Sequence, residues 1–417
     1  MDQLVQMVMT RADQFRLRCQ EQELTFLVPL TLLIIAKNML YLCWLLFSGR
    51  GLPQSDDGKW YINYAGAFLE NLRDGLDVND ILYFGYNVLL SALMAIFQDP
   101  VAVVVLQGIA AGLGVILVYK IAAMLFNLRT AVIASIFYAC IYEFTRWSLY
   151  ILSDSFFVSL LLLCVYFLLM ALHTPEKRYR RLFFATALYL VIFRPTGIVI
   201  MAFIAVYVLL QLDRKRLLMF FTKHRQWFSS MTIMVLAALI YLYINNTMAL
   251  FLHSMQVEVQ KVLYDIYAKG WVYDKSTSFD HIYRPDYAMT VQDSAILSFI
   301  LNNWQNIVIL CSKRAVAFLG TWVWDANFTS VLGILSAAVN LVPAFLFLTG
   351  TVLAIKNGLF KRASIVWMPV VAVYFFCVVL FIDAMYRYQF PALPFIAIVA
   401  AYGTERILEK AKTGTKY

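Results

Sequence analysis

The stretch VAVVVLQGIAAGLGVILVYKIAAMLF, residues 101–126, decides the fold class of this chain. About 20 apolar residues suffice for a helix to cross the roughly 30 Å hydrocarbon core of a membrane. Lipid offers the backbone no hydrogen-bond partners, so such a run must be helical. Four further apolar runs occupy residues 24–47, 155–172, 331–355 and 364–382. The sequence therefore predicts an all-α, polytopic transmembrane helical bundle.

Composition and charge placement support a membrane protein and argue against a nucleic-acid partner. Of the 417 residues, 62% are hydrophobic and 14% charged, whereas soluble domains carry about 25% charged residues. The net charge of +9 comes from Lys and Arg gathered in short polar gaps, such as 177–181, 214–216 and 361–362. Basic loops of this kind stay on the cytoplasmic side of a membrane, so the charge indicates topology and no nucleic acid is expected.

The same charge rule predicts about ten spans with both termini in the cytoplasm. Residues 1–23 are expected to be a cytoplasmic N-terminal segment and residues 405–417 a cytoplasmic tail. The transmembrane domain would cover 24–404, with external loops at 48–100 and 247–330. The predicted spans are 24–47, 101–126, 130–147, 155–173, two short helices within 182–212, 228–246, 331–355, 364–382 and 388–404.

Three apolar segments do not fit a simple span. Residues 83–97 would make only about 22 Å of helix, so a juxtamembrane or re-entrant helix is predicted on the external side. Residues 182–212 are broken by Arg194-Pro195-Thr196-Gly197, which predicts a hairpin of two short helices with its break outside. Residues 307–324 contain Lys313-Arg314, so an interfacial helix is expected there.

An acidic pair follows the first span, in Ser55-Asp56-Asp57-Gly58. A carboxylate at this position could act as a base toward a substrate presented at the membrane surface. The alternative is that one of these side chains caps the helix predicted to begin here, because free amides at a helix start favour Ser and Asp. Both roles can hold for different members of the pair.

Three more polar residues stand at predicted external helix ends. Asp154 precedes the fourth span and could support a base or cap that helix. Arg194 and Arg387 lie at helix turns, where planar guanidinium groups could bind phosphate oxygens. The alternative for both arginines is that they extend their charge to the membrane interface.

Residues 253–293 hold a set of polar and aromatic side chains, including Trp271, Asp280 and His281. A loop of this length without structure of its own is usually functional, so an acceptor-facing role is expected for these three residues. The alternative is that Asp280 and His281 are ordinary solvated surface residues. Their spacing does not match a metal site.

Four short motifs together resemble the GT-C membrane glycosyltransferases. They are the acidic pair followed by Tyr64-Ala65-Gly66-Ala67-Phe68-Leu69, the helix end Tyr119-Lys120-Ile121-Ala122, the acidic Asp154, and Arg387-Tyr388-Gln389-Phe390-Pro391-Ala392-Leu393-Pro394. The nearest pattern is that of the protein O-mannosyltransferases and the lipid A aminoarabinose transferases. The order of the motifs along residues 24–404 carries the resemblance.

The resemblance implies inverting transfer of a sugar from a polyprenyl- or dolichyl-phosphate donor at the external face. The acceptor would be a lipid, glycan or protein. A carboxylate of the acidic pair would be the base, with Asp56 favoured because Asp stands first in the family's Asp-Glu pair, and Asp154 would support it. Arg194, Arg387 and Tyr388 would bind the donor phosphate. Such an enzyme is expected in a bacterial inner or plasma membrane.

The resemblance also bears on cofactors and on rival functions. Asp154 lacks the second nearby carboxylate with which the oligosaccharyltransferase branch holds a divalent metal, so no metal and no cofactor are expected. A flippase or transporter of lipid-linked sugars is a second possibility, although such proteins usually show paired broken helices or a repeat. A non-catalytic subunit of a glycosyltransferase complex is the third.

Overall fold

The computed structural model describes residues 2–70, 78–211, 295–319, 330–380 and 386–414, with isolated helical positions between 222 and 257. The described helices of the N-terminal half are α1 (Asp2–Phe47), α2 (Asp56–Glu70), α3 (Val78–Leu82), α4 (Phe84–Phe97), α5 (Pro100–Leu125), α6 (Leu128–Cys140), α7 (Tyr142–Ser148), α8 (Ser153–His173), α9 (Lys177–Phe193) and α10 (Pro195–Gln211).

The C-terminal half continues with helices numbered here in the same order. They are α11 (Ala295–Asn302), α12 (Trp304–Leu319), α13 (Val331–Lys356), α14 (Phe360–Ala363), α15 (Trp367–Phe375), α16 (Tyr386–Gln389) and α17 (Leu393–Gly414). Short 3-10 turns cover Ser364–Val366 and Phe390–Ala392, and a π-helical turn covers Phe376–Leu380. The described residues contain no strand, which confirms the all-α prediction.

Within the residues that the structure describes, six helical segments are long and apolar enough to cross a membrane: Leu24–Phe47, Pro100–Leu125, Ser153–His173, Val331–Lys356, Phe360–Val379 and Arg387–Ala411. A seventh is possible if α6 and α7 count as one span. The protein is therefore an integral membrane protein, but the predicted count of about ten spans is not confirmed. Most of the span predicted at 228–246 and most of the loop at 247–330 lie outside the described residues.

The predicted third span, 130–147, differs from the structure because the helix breaks at Ile141 and bends by 49°. Ile141 has an extended backbone, with φ −70° and ψ 111°. The break leaves carbonyl groups without helical partners, and Lys37 Nζ on α1 donates to one of them, the Ala139 carbonyl, at 3.1 Å. Residues 130–147 contain no proline, so nothing in the local sequence indicates the bend.

The predicted break within 182–212 is confirmed, because α9 ends at Phe193 and α10 begins at Pro195. The two helices pack closely around Gly197. A Cβ atom on Gly197 would lie 2.0 Å from the carbonyl oxygen of Leu190 on α9. Only glycine allows this approach, and the approach fixes the direction in which Arg194 leaves the turn.

Helix α5 is the centre of the N-terminal half. It packs against α1, α6 and α8, and α8 in turn packs along α9. Helix α17 joins the C-terminal half to this group through its contacts with α6 and α13. Apolar side chains such as Leu32, Leu33 and Leu40 of α1 remain exposed on the bundle surface, where lipid would cover them.

Candidate functional site

Four charged side chains from four separate parts of the chain form one ionic network. The buried carboxylate of Asp154 accepts hydrogen bonds from Arg194 Nη1 on Oδ1 and from Arg387 Nε at 3.2 Å on Oδ2. Arg387 Nη1 also lies 2.6 Å from Oδ2 of Asp57. Two carboxylates thus balance two guanidinium groups, which is the condition under which buried charges are tolerated.

Helix ends bring these residues together. Asp154 lies in the first turn of α8, Arg194 in the turn between α9 and α10, and Arg387 in the short helix α16. Asp57 lies in the first turn of α2. The structure therefore brings together four of the residues proposed from the sequence for a site.

The two aspartates of the acidic pair have different surroundings. Ser55 Oγ accepts a hydrogen bond from the Gly58 N–H at 3.0 Å, so the serine caps α2. Asp57 points toward Arg387 and keeps its side chain 51% exposed. Asp56 is fully exposed and lies 3.6 Å from Lys59, one turn along the helix. Asp57 is the member of the pair that belongs to the network.

Tyr388 faces both arginines. The centroid of its ring lies 5.7 Å from Cζ of Arg194 and 5.6 Å from Cζ of Arg387. Both distances lie within the range of a cation–π interaction. The ring therefore helps to hold two positive charges side by side.

Aromatic side chains enclose the network on the side of α2 and α4. The rings of Tyr61 and Tyr83 lie 5.6 Å apart, those of Tyr61 and Tyr86 4.7 Å, and those of Tyr86 and Phe193 5.7 Å. Burial raises the pKa of Tyr61 and of Tyr83 above the usual tyrosine value. Their hydroxyl groups therefore stay protonated at neutral pH and can donate hydrogen bonds.

Gln107 supports the turn that precedes Asp154, a role that the sequence analysis missed. This fully buried side chain of α5 donates from Nε2 to the carbonyl groups of Ser148 at 3.0 Å and Tyr150 at 2.7 Å. A Cβ on Gly58 would lie 3.2 Å from the carbonyl oxygen of Ile151, so the same turn also touches the start of α2. The sequence did contain a signal for this role, because Gln107 places an amide within the otherwise apolar stretch 101–126.

An apolar cavity of about 440 Å³ lies beside the helix that carries the late arginine motif. Side chains of α6, α13 and α17 form most of its wall, with Asn340 of α13 and Glu143 of α7 as polar members. Gln389, two positions after Arg387, also lines it. A long apolar chain could occupy this space.

Some predicted site residues are not tested by this geometry. Trp271, Asp280 and His281 lie outside the described residues. Within the residues that the structure describes, no three His, Cys, Asp or Glu side chains gather as a metal site would require. The expectation that the protein needs no metal stays a prediction.

Comparison with solved structures identifies the architecture. The archaeal oligosaccharyltransferase AglB from Archaeoglobus fulgidus, solved with an inhibitory peptide and a dolichol-phosphate, matches with a TM-score of 0.50 and 15% sequence identity. The match covers 94% of this chain and 51% of the archaeal protein, so the chain spans about half the length of that enzyme. The chain has a GT-C fold. This confirms the resemblance drawn from the four motifs.

A family model supports the same conclusion from the sequence. Residues 84–244 of the chain match the model described as dolichyl-phosphate-mannose-protein mannosyltransferase. The matched stretch includes Asp154 and Arg194 but neither Asp57 nor Arg387. No curated protein matches the chain significantly.

Proposed function

We propose that this protein is a membrane glycosyltransferase that moves a sugar from a polyprenyl- or dolichyl-phosphate donor to an acceptor. One observation carries the proposal: a single buried carboxylate, Asp154, holds the guanidinium groups of Arg194 and Arg387 side by side in a GT-C fold. The similarity of residues 84–244 to the dolichyl-phosphate-mannose-protein mannosyltransferase family supports this donor class.

The arginine pair suits a phosphate that leaves the sugar. Each guanidinium carries five N–H donors, and Arg387 binds the two carboxylates through Nε and Nη1. Further N–H groups can therefore face phosphate oxygens. When the bond between the sugar C1 atom and the phosphate oxygen breaks, the phosphate gains negative charge, and a fixed pair of cations stabilises that charge.

Asp57 is the proposed base. The acceptor hydroxyl or amine would give its proton to this carboxylate while its oxygen or nitrogen forms the new bond to C1, with inversion at that carbon. Asp57 is half exposed, so an acceptor can reach it, whereas Asp154 is enclosed between two guanidinium groups. Asp56 is also exposed to an acceptor, but its ionic contact is with Lys59 and not with Arg387.

The network also couples deprotonation of the acceptor to departure of the phosphate. Before transfer, the negative charges of Asp57 and Asp154 balance Arg194 and Arg387. Protonation of Asp57 removes one negative charge, so a surplus positive charge appears at Arg387 as the phosphate becomes more negative. The contact of 2.6 Å between Asp57 and Arg387 makes this coupling direct.

The apolar cavity fits the lipid part of such a donor. Its wall includes Gln389, which follows Arg387 by two positions, so a phosphate at Arg387 and an isoprenoid chain in the cavity can belong to one molecule. We place the reaction at the external face of a bacterial inner or plasma membrane, with both termini in the cytoplasm. A lipid, glycan or protein would be the acceptor, and no metal would be needed.

The proposal can be tested with the purified full-length protein in liposomes. A donor with a radiolabelled sugar on polyprenyl phosphate is supplied together with extracts that contain lipid, glycan and protein acceptors. Movement of label from the lipid to an acceptor supports the transferase. Movement of intact labelled lipid across the bilayer without transfer would instead support a flippase. Absence of both from the purified protein, with transfer restored by a partner subunit, would support a non-catalytic role.

A further inference from the structure

The inward face of α4 carries polar groups where a membrane bundle usually carries apolar ones. Tyr83, Tyr86, Asn87, Leu90 and Ser91 follow the spacing i, i+3, i+4, i+7 and i+8, which places them on one helix face. The last four are buried. Four of the five have hydrogen-bonding groups, although polar groups are costly to bury in such an environment.

Two of these side chains have buried polar atoms without a partner. The Tyr86 Oη atom and both the Oδ1 and Nδ2 atoms of Asn87 make no hydrogen bond within the part of the chain that the structure describes. Other polar groups here are satisfied: Ser91 Oγ donates to the Asn87 carbonyl at 2.8 Å, and Tyr189 Oη donates to the Gly85 carbonyl at 2.9 Å. The unpaired atoms therefore need their own explanation.

The unpaired groups lie next to the ionic network. The Tyr86 ring packs on Phe193, the residue directly before Arg194, and on Tyr61 of α2. The Tyr86 hydroxyl lies within electrostatic range of Asp154 and Arg387. Asn87 follows Tyr86 on the same face. The Tyr86 hydroxyl thus stands near Asp154 and Arg387, and Asn87 adds an amide at the next position of the same helix face.

We infer that Tyr86 and Asn87 recognise the hydroxyl groups of the donor sugar. The inference rests on the proposed function and adds the residues that select the sugar. A carboxamide offers one acceptor and two donors, and a phenol can donate and accept, so together they match the mixed donor and acceptor character of sugar hydroxyls. Both groups are uncharged, so we expect them to bind neutral sugar hydroxyl groups in preference to an ammonium or carboxylate group at the same position of the sugar.

The test uses Tyr86→Phe and Asn87→Leu, which remove the unpaired polar atoms with little change in volume. Transfer rates are measured with a neutral hexose and with an amino sugar, each on the same polyprenyl phosphate. We expect the wild type to prefer the neutral sugar and each variant to lose about tenfold or more in kcat/KM for it, because a site built for hydroxyl groups discriminates through them. The preference for the neutral sugar should shrink accordingly.

Two further readouts separate sugar recognition from a structural role. Sugar-free polyprenyl phosphate should inhibit the variants and the wild type at the same concentration. The thermal midpoint of the variants should be unchanged or higher, because replacement of an unsatisfied buried polar group by an apolar one does not break a hydrogen bond. Tyr189→Phe is the matched control, since its hydroxyl has a partner; it should lower the midpoint and leave the sugar preference intact.

The inference is overturned if both variants keep the wild-type sugar preference, or if they lower the thermal midpoint and weaken inhibition by sugar-free polyprenyl phosphate equally. A wild-type protein that transfers no sugar would instead contradict the proposed function itself. The two failures are therefore distinguishable in one series of measurements.

Discussion

The Nε atom of Arg387 lies 3.2 Å from Oδ2 of Asp154, although 233 positions separate the two residues in the chain. The same carboxylate also binds Arg194, so one buried anion fixes the positions of two cations. This arrangement links the turn between α9 and α10 to the short helix α16.

Asp154→Asn should abolish sugar transfer and destabilise the protein. Removal of one partner from a buried ion pair costs about 3–5 kcal/mol, because the remaining charge is left buried and unpaired. Thermal unfolding in detergent measures the stability. In the double variant Asp154→Asn with Arg194→Met, one unpaired charge is removed, so we expect stability to return in part while transfer stays absent. Recovery of transfer in the double variant would contradict the role assigned to Arg194.

Arg387→Lys should reduce transfer by roughly a hundredfold or more, since lysine is a point charge and cannot reproduce the planar fork that contacts two carboxylates. The initial rate of transfer from a labelled donor measures the effect. Arg178→Lys is the control: Arg178 also pairs with a carboxylate, Glu176 at 2.5 Å, but at the surface, where such pairs contribute little. Equal rates for the two variants would refute a special role of Arg387.

Gly197→Ala should misplace Arg194 and lower both stability and donor binding. The added Cβ would lie 2.0 Å from the Leu190 carbonyl oxygen, so the helices must separate. Gly66→Ala provides the comparison, because a Cβ on Gly66 meets no atom within 4 Å and alanine stabilises a helix interior by about 0.5–1 kcal/mol. Thermal midpoints that move in the same direction for both variants would contradict this packing.

Gln107→Leu should lower kcat more than it changes the binding of sugar-free polyprenyl phosphate. The substitution removes the Gln107 donor from the Ser148 carbonyl, at a cost of about 1–3 kcal/mol for a buried group left unpaired. It also removes one of the two donors of the Tyr150 carbonyl, which keeps the Leu152 N–H at 2.9 Å. The turn between α7 and α8 would become less ordered, and the distance between Asp57 and Asp154 would then be less well defined. Gln211→Leu is the control: it removes the hydrogen bond of 2.9 Å from the Gln211 amide to the Lys361 carbonyl at an exposed position, so kcat should change little.

The proposed topology places Lys59 outside and Arg180 inside. In a variant free of native cysteines, Lys59→Cys should react with a membrane-impermeant thiol reagent added to intact cells, and Arg180→Cys should react only after permeabilisation. Both side chains are exposed on the protein surface, so a difference in labelling would report the side of the membrane and not burial within the protein. Reaction of Arg180→Cys in intact cells would overturn the orientation.

The sequence predicted features that depend on local signals. Long apolar runs predicted the main helices, and Pro195 beside Gly197 predicted the break that presents Arg194. The bend at Ile141 has no such signal, and the different roles of Asp56 and Asp57 depend on Arg387, which is far away in the chain. Asn87 and Gln107 each stand alone in apolar surroundings, and only the packing of α4 and α5 shows what they face.

The most direct test compares Asp57→Asn with Asp56→Asn in the same assay of sugar transfer from a labelled polyprenyl-phosphate donor. Asp56 is fully exposed and Ser55 caps the helix, so Asp56→Asn should fold like the wild type. Asp57 is half exposed and its loss leaves Arg387 paired with Asp154, so Asp57→Asn should also fold, and thermal unfolding in detergent checks this. Because a general base contributes about 10²–10⁴ to a rate, Asp57→Asn should lose at least about a hundredfold while Asp56→Asn stays near the wild-type rate. Full activity of Asp57→Asn would contradict the proposed mechanism.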